Sequence, residues 1–333
     1  MFNWIFNKDK NLNELCFTAL GPRGSGKTTL LASIYKEFES KRPGTFYPSS
    51  GDERTFSVLN RAYQDLKEMA NTPSGEKIER LVEHTTELRE YVFTLLGNKK
   101  TPVHFFDFPG GWLNPESENY NRVIDVIKRS MVVLVAVNTP YIMEENGKFI
   151  EKAGIDKIQR CLLAGIQEDN NDKLILLVPI KCEKYTHTLE DSKAMRNKIM
   201  DAFSGMFTKM MLSISSNPKR KKSLAVALLP VHTVGNMQVE KFIKDEDERL
   251  VGIKLQKTGE KFAPKDIDQP MRFVMSFLIN QYKNQSNKYW QKILGTIFPR
   301  ENRKLEELVN FIKDDMRIED ENFEIYCGKE LII

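Results

Sequence analysis

One stretch near the start of the chain limits what its 333 residues can fold into. Residues 21–29 read GPRGSGKTT, a short apolar run at residues 15–20 comes directly before them, and apolar side chains recur at helical spacing from Leu30 to Phe38. A strand, a glycine-rich turn and a helix in this order, with the spacing G-x-x-x-x-G-K-T, surround a phosphate group with backbone N–H groups and the positive end of a helix dipole. The stretch therefore predicts a phosphate-binding loop. A glycine-rich turn with only a structural role is the alternative.

Each position of this loop has an expected role. Lys27 is expected to reach the β- and γ-phosphates of a nucleotide and to act in catalysis, and the Thr28 hydroxyl is expected to bind Mg²⁺. The remaining residues of the loop that we expect to bind the nucleotide are Gly21, Arg23, Gly24, Ser25, Gly26 and Thr29. Arg23 either faces the phosphates or is solvated.

Composition narrows the class of protein. With 41% apolar residues the chain can bury a sizeable core, and its net charge of +4, from 50 basic and 46 acidic residues, gives no specific signal for nucleic acid. The four cysteines are far apart and form no CxxC pair, which argues against zinc and disulfides. The longest apolar run, residues 131–137, is too short for a transmembrane segment. A reducing cytoplasm is the expected location.

Segments with strand character alternate with segments of helical periodicity along most of the chain. Strands are expected at 15–20, 88–96, 103–107, 131–138, 174–180 and 224–231, and helices at 52–70, 116–129, 152–168, 189–212 and from 270 onward. The short polar linker 97–102 predicts a hairpin. The pattern is typical of a doubly wound α/β domain with a mostly parallel sheet, one antiparallel hairpin strand and a ligand at the carboxyl ends of the strands.

Three parts of the chain are expected. Residues 1–14 form an N-terminal extension, residues 15–296 the nucleotide-binding domain, and residues 297–333 a small C-terminal α+β appendage. The appendage has one amphipathic helix and a strand-like end from Phe323 to Ile333.

A second phosphate-related signal follows the strand at 103–107. Asp107 ends this strand, and Phe108, Pro109 and Gly110 form a turn after it. In a parallel sheet Asp107 is expected beside the phosphate-binding loop, where it binds Mg²⁺ directly or through water. Gly110 is expected to approach the γ-phosphate with its backbone N–H, so both residues join Lys27 as candidate catalytic residues. An ordinary Asp-Phe-Pro-Gly turn is the alternative.

Four strings together resemble the P-loop GTPases of the Ras-like, translation-factor class: residues 21–28, 107–110, 179–185 and 230–235. More narrowly, the chain resembles the bacterial double-GTPase-type proteins of conflict and phage-defence systems. The resemblance spans about Leu15 to Tyr282 and implies a three-layer P-loop NTPase domain that binds GTP or GDP with Mg²⁺. It also implies that Lys181 and Glu183 read the guanine base, and that the loop from Thr233 through Val234 contacts it.

The physical chemistry of the base agrees with this resemblance. Guanine presents two adjacent donors that one carboxylate accepts, and a lysine stem can lie over the base. Ile180 stands where relatives carry Asn or Thr, and Glu183 where they carry Asp. In an alternative interpretation, Lys181 and Glu183 merely begin a surface loop.

Two departures concern catalysis. Gly111 occupies the position at which many relatives place a water-orienting Gln, so intrinsic hydrolysis is expected to be slow. Thr72 is our choice for the threonine that binds Mg²⁺ from the first switch, and the alternatives left open are Thr45, Thr55, Thr85 and Thr86.

The leading hypothesis is a Mg²⁺-dependent guanine-nucleotide switch that hydrolyses GTP slowly and changes its affinity for partner proteins of unknown identity, in bacterial defence by resemblance. An ATPase or a phosphotransferase with the same phosphate cradle is the first alternative. A nucleotide-bound scaffold subunit without turnover is the second.

Overall fold

The computed structural model describes residues 15–49, 52–71, 87–95, 98–167, 172–215, 224–283, 295, 303–318 and 321–332. Its centre is an eight-stranded sheet in the order β10-β7-β6-β5-β1-β4-β3-β2. The strands are β1 (Leu15–Leu20), β2 (Phe46–Pro48), β3 (Arg89–Leu95), β4 (Asn98–Asp107), β5 (Val132–Asn138), β6 (Lys173–Ile180), β7 (Leu224–Leu228) and β10 (Glu324–Cys327). A separate antiparallel hairpin consists of β8 (Met237–Lys244) and β9 (Leu250–Lys257).

The helices alternate with these strands as the sequence pattern predicts. They are α1 (Lys27–Lys41), α2 (Glu53–Asn71), α3 (Tyr120–Arg129), α4 (Pro140–Met143), α5 (Ile155–Gln167), α6 (Leu189–Ser215), α7 (Gln269–Lys283) and α8 (Arg303–Asp315). The α2 helix begins after Asp52, whose Oδ1 accepts from the Thr55 N–H at 3.0 Å as a helix cap. No helix within the described part of the chain combines the length and the apolar character that crossing a membrane requires.

Apolar side chains alternate between the two faces of the sheet and produce two cores. On one face, α1, α2, α7 and α8 cover residues such as Phe17, Leu134 and Val178. On the other face, α3, α5 and α6 cover Val133, Val135 and Leu177. The sheet is therefore buried on both sides, and the predicted three-layer α/β class is confirmed.

The five strands β1, β4, β5, β6 and β7 are parallel. The β3 strand pairs antiparallel with β4 and forms the predicted hairpin. Because the carboxyl ends of parallel strands meet at one edge, Gly21, Asp107, Lys181 and the loop after β7 lie along the same side of the sheet. This edge is where the sequence places the ligand.

Several predicted boundaries are wrong. The β4 strand begins at Asn98, because Leu95 pairs with Asn98 and shortens the predicted linker. Residues 116–119 form turns before α3, with a hydrogen bond from the Ser117 N–H to the Asn114 carbonyl. The predicted loop at 139–147 contains α4. The last strand stops at Cys327, because Gly328 adopts a left-handed conformation (φ 70°) and turns the chain.

The C-terminal segment packs directly on the central domain. The β10 strand pairs antiparallel with β7, which places it at the edge of the main sheet. The guanidinium of Arg272, fully buried on α7, contacts Asp268 at 2.5 Å and Asp315 of α8 at 3.2 Å, and lies 3.9 Å from the centre of the Phe311 ring. The division at residue 297 stays a prediction.

Candidate functional site

The phosphate-binding loop connects the buried end of β1 to the first turn of α1. Gly26 precedes this helix with φ 81°, a left-handed conformation that side chains with a Cβ rarely adopt. Gly26, the residue before the helix, makes no side-chain capping bond, and the N–H groups of a first helical turn favour an anion. The loop therefore has the conformation that phosphate binding requires.

Lys27 folds back over this loop. Its ammonium group donates to the carbonyls of Gly21 at 3.0 Å and Pro22 at 3.3 Å. Burial lowers the pKa of this ammonium group, and the nearby Asp107 carboxylate acts in the opposite direction. A positive charge thus lies inside the loop, close to backbone N–H groups that favour an anion.

Asp107 and Thr28 meet as the sequence predicts. Asp107 is opposite Ala19 in the parallel pair of β1 and β4, and its side chain is 1% exposed. The Thr28 hydroxyl donates to its Oδ2 at 2.6 Å. A hydroxyl and a carboxylate oxygen fit Mg²⁺, which binds proteins through few oxygen ligands and completes its shell with water and phosphate. The described residues contain no cluster of three or more His, Cys, Asp or Glu side chains that could hold a metal ion.

Gly110 lies against the phosphate-binding loop. A Cβ atom at this position would be 2.1 Å from the Arg23 backbone nitrogen and 2.3 Å from the Pro22 carbonyl carbon. Gly111 is different, because a Cβ atom there would meet nothing within 4 Å. The backbone of the phosphate-binding loop therefore leaves no room for a side chain at Gly110, whereas Gly111 has room for one. Arg23 itself is exposed.

The residues predicted to read the base follow the ends of β6 and β7. The Glu183 side chain is 6% exposed, and its Oε1 accepts from the backbone N–H groups of Val234 and Gly235, both at 3.4 Å. Burial raises the pKa of its carboxyl group, an effect that those N–H groups and Lys181 oppose. Thr233 is also buried. The structure therefore brings Lys181, Glu183 and the loop 233–235 together.

A hydrogen-bonded histidine fixes this loop. The Nε2 atom of His232 is 2.6 Å from the Thr186 hydroxyl, and its backbone pairs with Lys265 in both directions. Burial lowers the pKa of His232 to about 4, with Lys265 and His187 adding to the shift. The imidazole is therefore neutral in the folded protein at neutral pH.

Acid is expected to destabilise the fold through His232. In the folded state the pKa of His232 lies below the ordinary value of 6.5, so the unfolded state binds a proton more readily. The contribution of His232 to the free energy of unfolding is therefore fully present above pH 6.5 and is lost as the pH falls toward 4. Between pH 7 and pH 5 the loss from this one group is about 2 kcal/mol. Urea unfolding at both pH values measures it, and His232→Gln should show a smaller decrease than the wild type. An equal decrease in both proteins would contradict this assignment.

Some candidate residues lie elsewhere or outside the described residues. Thr72, Thr85 and Thr86 fall in the segment 72–86, which is not described. Thr55 belongs to the cap of α2, where its hydroxyl donates to Asp52, and Thr45 is buried. The choice of Thr72 as a Mg²⁺ ligand therefore stays a prediction.

Sequence reasoning missed several residues at the same edge. Asn138 ends β5 directly beside Ile180, is 1% exposed, and neither atom of its side-chain amide has a hydrogen-bond partner among the described residues. The Ile180 side chain fills the space under Gly26, 2.9 Å from where a Cβ atom would be. Arg89 and Tyr91 of β3 are opposite Asp107 and Phe105. No local motif marks Asn138, Arg89 or Tyr91, because each of these three is placed by strand register.

The fold and these loops define a P-loop nucleotide-binding domain of the GTPase class. The sequence model of the Double-GTPase 2 family matches residues 17–234, more than half of the chain, and the chain belongs to this family. The predicted resemblance is thereby confirmed, and guanine nucleotide is the ligand that the family implies. No curated protein matches the chain.

The solved structures that are similar to the chain include the following three. The G domain of the T. maritima FeoB iron transporter is 12% identical, with 66% of this chain and 88% of that chain covered and a TM-score of 0.28. The mammalian SRP receptor is 13% identical, with coverage of 66% and 91% and a TM-score of 0.32. The SAR1 GTPase from Encephalitozoon cuniculi, in complex with GDP, is 12% identical, with coverage of 69% and 74% and a TM-score of 0.30.

Proposed function

We propose that this protein is a Mg²⁺-dependent guanine-nucleotide switch that hydrolyses GTP slowly and regulates or assembles with partner proteins. The observation that carries the proposal is the position of Glu183. Its buried carboxylate lies at the same edge of the sheet as the phosphate-binding loop and accepts from backbone N–H groups of the loop after β7. A carboxylate in this place suits the adjacent N1–H and amino donors of guanine, whereas adenine has no such pair.

The residues proposed for the phosphate end have separate tasks. Lys27 neutralises charge on the β- and γ-phosphates, and the N–H groups at the start of α1 orient them. Thr28 and Asp107 would hold Mg²⁺, which when bound neutralises phosphate charge. Gly110 presents its backbone to the γ-phosphate. Lys181 lies near Glu183 and would cover the base with its stem.

Slow hydrolysis is part of the proposal because of Gly111. This residue has no side chain to orient the attacking water, and a Cβ atom there would contact nothing within 4 Å. The same observation supports a second candidate function, a nucleotide-bound scaffold subunit without turnover. A role in bacterial conflict and defence systems is supported by the family resemblance alone.

Replacing Glu183 tests the guanine assignment. Glu183→Ala is expected to weaken GTP binding roughly 10- to 100-fold, since a hydrogen bond to a charged group contributes about 1.5–3 kcal/mol. ATP binding, already weak, should stay unchanged. Titration of fluorescent GTP and ATP with Mg²⁺ measures both affinities.

Glu183→Gln is the sharper variant. Its side-chain amide offers one donor and one acceptor, and xanthine carries a carbonyl oxygen where guanine carries its amino group. This variant should lose GTP and gain affinity for XTP. A wild type that prefers ATP, or a Glu183 variant with unchanged base selectivity, would exclude the guanine assignment in favour of an ATPase or a phosphotransferase.

A further inference from the structure

Arg89, the first residue of β3, is placed by strand pairing at the phosphate end of the site. It is the antiparallel partner of Asp107, the carboxylate that accepts from Thr28. Since side chains alternate along a strand, Arg89 lies on the same face as Tyr91, which packs into the core beneath α1. Its guanidinium is thus on the side of the sheet from which α1 and the phosphate-binding loop rise.

Tyr91, two residues further along β3, is buried in the core on this face. Tyr91 is 2% exposed, and its pKa rises to about 12 because of burial and the Asp107 carboxylate, while Arg89 and Thr28 act in the opposite direction. Tyr91 and Arg89 thus lie on one face of β3, with Arg89 directly opposite Asp107 in the pair of β3 and β4.

The charge of Arg89 is not used by another part of the described fold. Arg54, Arg160 and Arg272 each form an ion pair with a carboxylate. Arg89 forms none with any residue that the structure describes, and it is only partly exposed. A guanidinium in a half-buried position without a carboxylate is well suited to an anionic ligand, because its planar fork matches phosphate oxygens.

We propose that Arg89 is a catalytic residue that contacts the terminal phosphate of the bound triphosphate. This inference rests on the proposed function, and the task it gives Arg89 is separate from the water orientation that Gly111 cannot provide. In hydrolysis, water oxygen forms a bond to the γ-phosphorus, the bond from that phosphorus to the β–γ bridging oxygen breaks, and its electron pair stays on GDP. The proton of the water ends on the released phosphate. Arg89 stabilises the negative charge on the transferring group and on the bridging oxygen, the task of an arginine finger supplied within the chain.

The test compares Arg89→Ala and Arg89→Lys with the wild type and with Arg160→Ala, a matched control. Arg160 is exposed and pairs with Asp156 on its own helix, so its removal changes net charge at a position outside the proposed site. Binding of GDP, GTPγS and GDP with aluminium fluoride is measured together with single-turnover GTP hydrolysis. Thermal melting shows whether each variant is folded.

Arg89→Ala is expected to retain GDP affinity within about threefold and to lower turnover at least roughly 100-fold, as removal of one transition-state donor does elsewhere. Arg89→Ala should also fail to bind GDP with aluminium fluoride. The turnover of Arg89→Lys should lie between those of Arg89→Ala and the wild type. Unchanged turnover and unchanged binding of GDP with aluminium fluoride would overturn the inference. Equal weakening of GDP and GTPγS would also overturn it, because that result indicates a structural role.

The failure of the proposed function gives a different result. In that case the wild type itself binds no guanine nucleotide, and the inference fails with it. The wild type could also bind guanine nucleotide but hydrolyse GTP too slowly to measure. In that case two binding measurements test the role of Arg89: the ratio of GTPγS to GDP affinity, and the binding of GDP with aluminium fluoride. An unchanged ratio and unchanged binding of GDP with aluminium fluoride in Arg89→Ala would then overturn the inference.

Discussion

Lys27→Ala should abolish detectable binding of GTP and GDP at micromolar protein concentration. The ammonium group is buried and hydrogen-bonded to Gly21 and Pro22. Its removal therefore takes away both the phosphate partner and two hydrogen bonds that hold the loop. A hydrogen bond to a charged group contributes about 1.5–3 kcal/mol, and this side chain serves two phosphates. We therefore expect an affinity loss of more than roughly 100-fold, measured by titration of a fluorescent nucleotide.

Lys36→Ala is the control for this variant. Lys36 belongs to the same helix and lies over the rings of Tyr35 and Phe56, away from the loop. It should bind nucleotide as the wild type does. If Lys27→Ala also bound both nucleotides normally, residues 21–29 would be a structural turn and the proposed function would be wrong.

Gly110→Ala is expected to cause the second largest loss of nucleotide affinity. The added Cβ atom would be 2.1 Å from the Arg23 backbone nitrogen, and the backbone atoms around it cannot rotate away as a side chain can. The loop after β4 and the phosphate-binding loop must therefore separate. Overpacking of this kind costs about 1–3 kcal/mol, which corresponds to roughly 10- to 100-fold weaker nucleotide binding.

Gly111→Ala provides a closely matched comparison. The same atom is added one residue later, where it meets nothing within 4 Å. Nucleotide binding and thermal stability of this variant should equal those of the wild type. Similar losses in both variants would show that backbone freedom of the turn, and not the contact with Arg23, decides binding.

The parts of the fold that the sequence predicts are those in which neighbouring residues carry the signal. The β1 strand, the loop and α1 are consecutive, and the spacing of Gly21, Gly26 and Lys27 determines their arrangement. The β5 and β6 strands are continuous apolar runs, which is typical of strands covered on both faces. The strand–helix alternation predicts a mostly parallel sheet, whereas the order of its strands is visible only in the structure.

Other parts depend on pairing between distant residues. Arg89 and Asp107 are partners only in the register of β3 and β4, and a shift of one residue would turn the arginine to the other face. The unpaired amide of Asn138 is visible only when its neighbours are known. The end of the last strand depends on Gly328, since a Cβ atom there would lie 2.2 Å from the Leu224 carbonyl oxygen.

The pairing of β10 with β7 has a consequence for any shortened form of the protein. The β7 strand consists of LAVAL, is buried along its whole length, and carries no charge or proline that would discourage another strand from joining it. Without β10, its backbone N–H and carbonyl groups on one side would face water and be open to a strand of a second molecule. The final strand therefore protects the domain against self-association, and removal of the C-terminal segment would favour aggregates joined through the β7 edge.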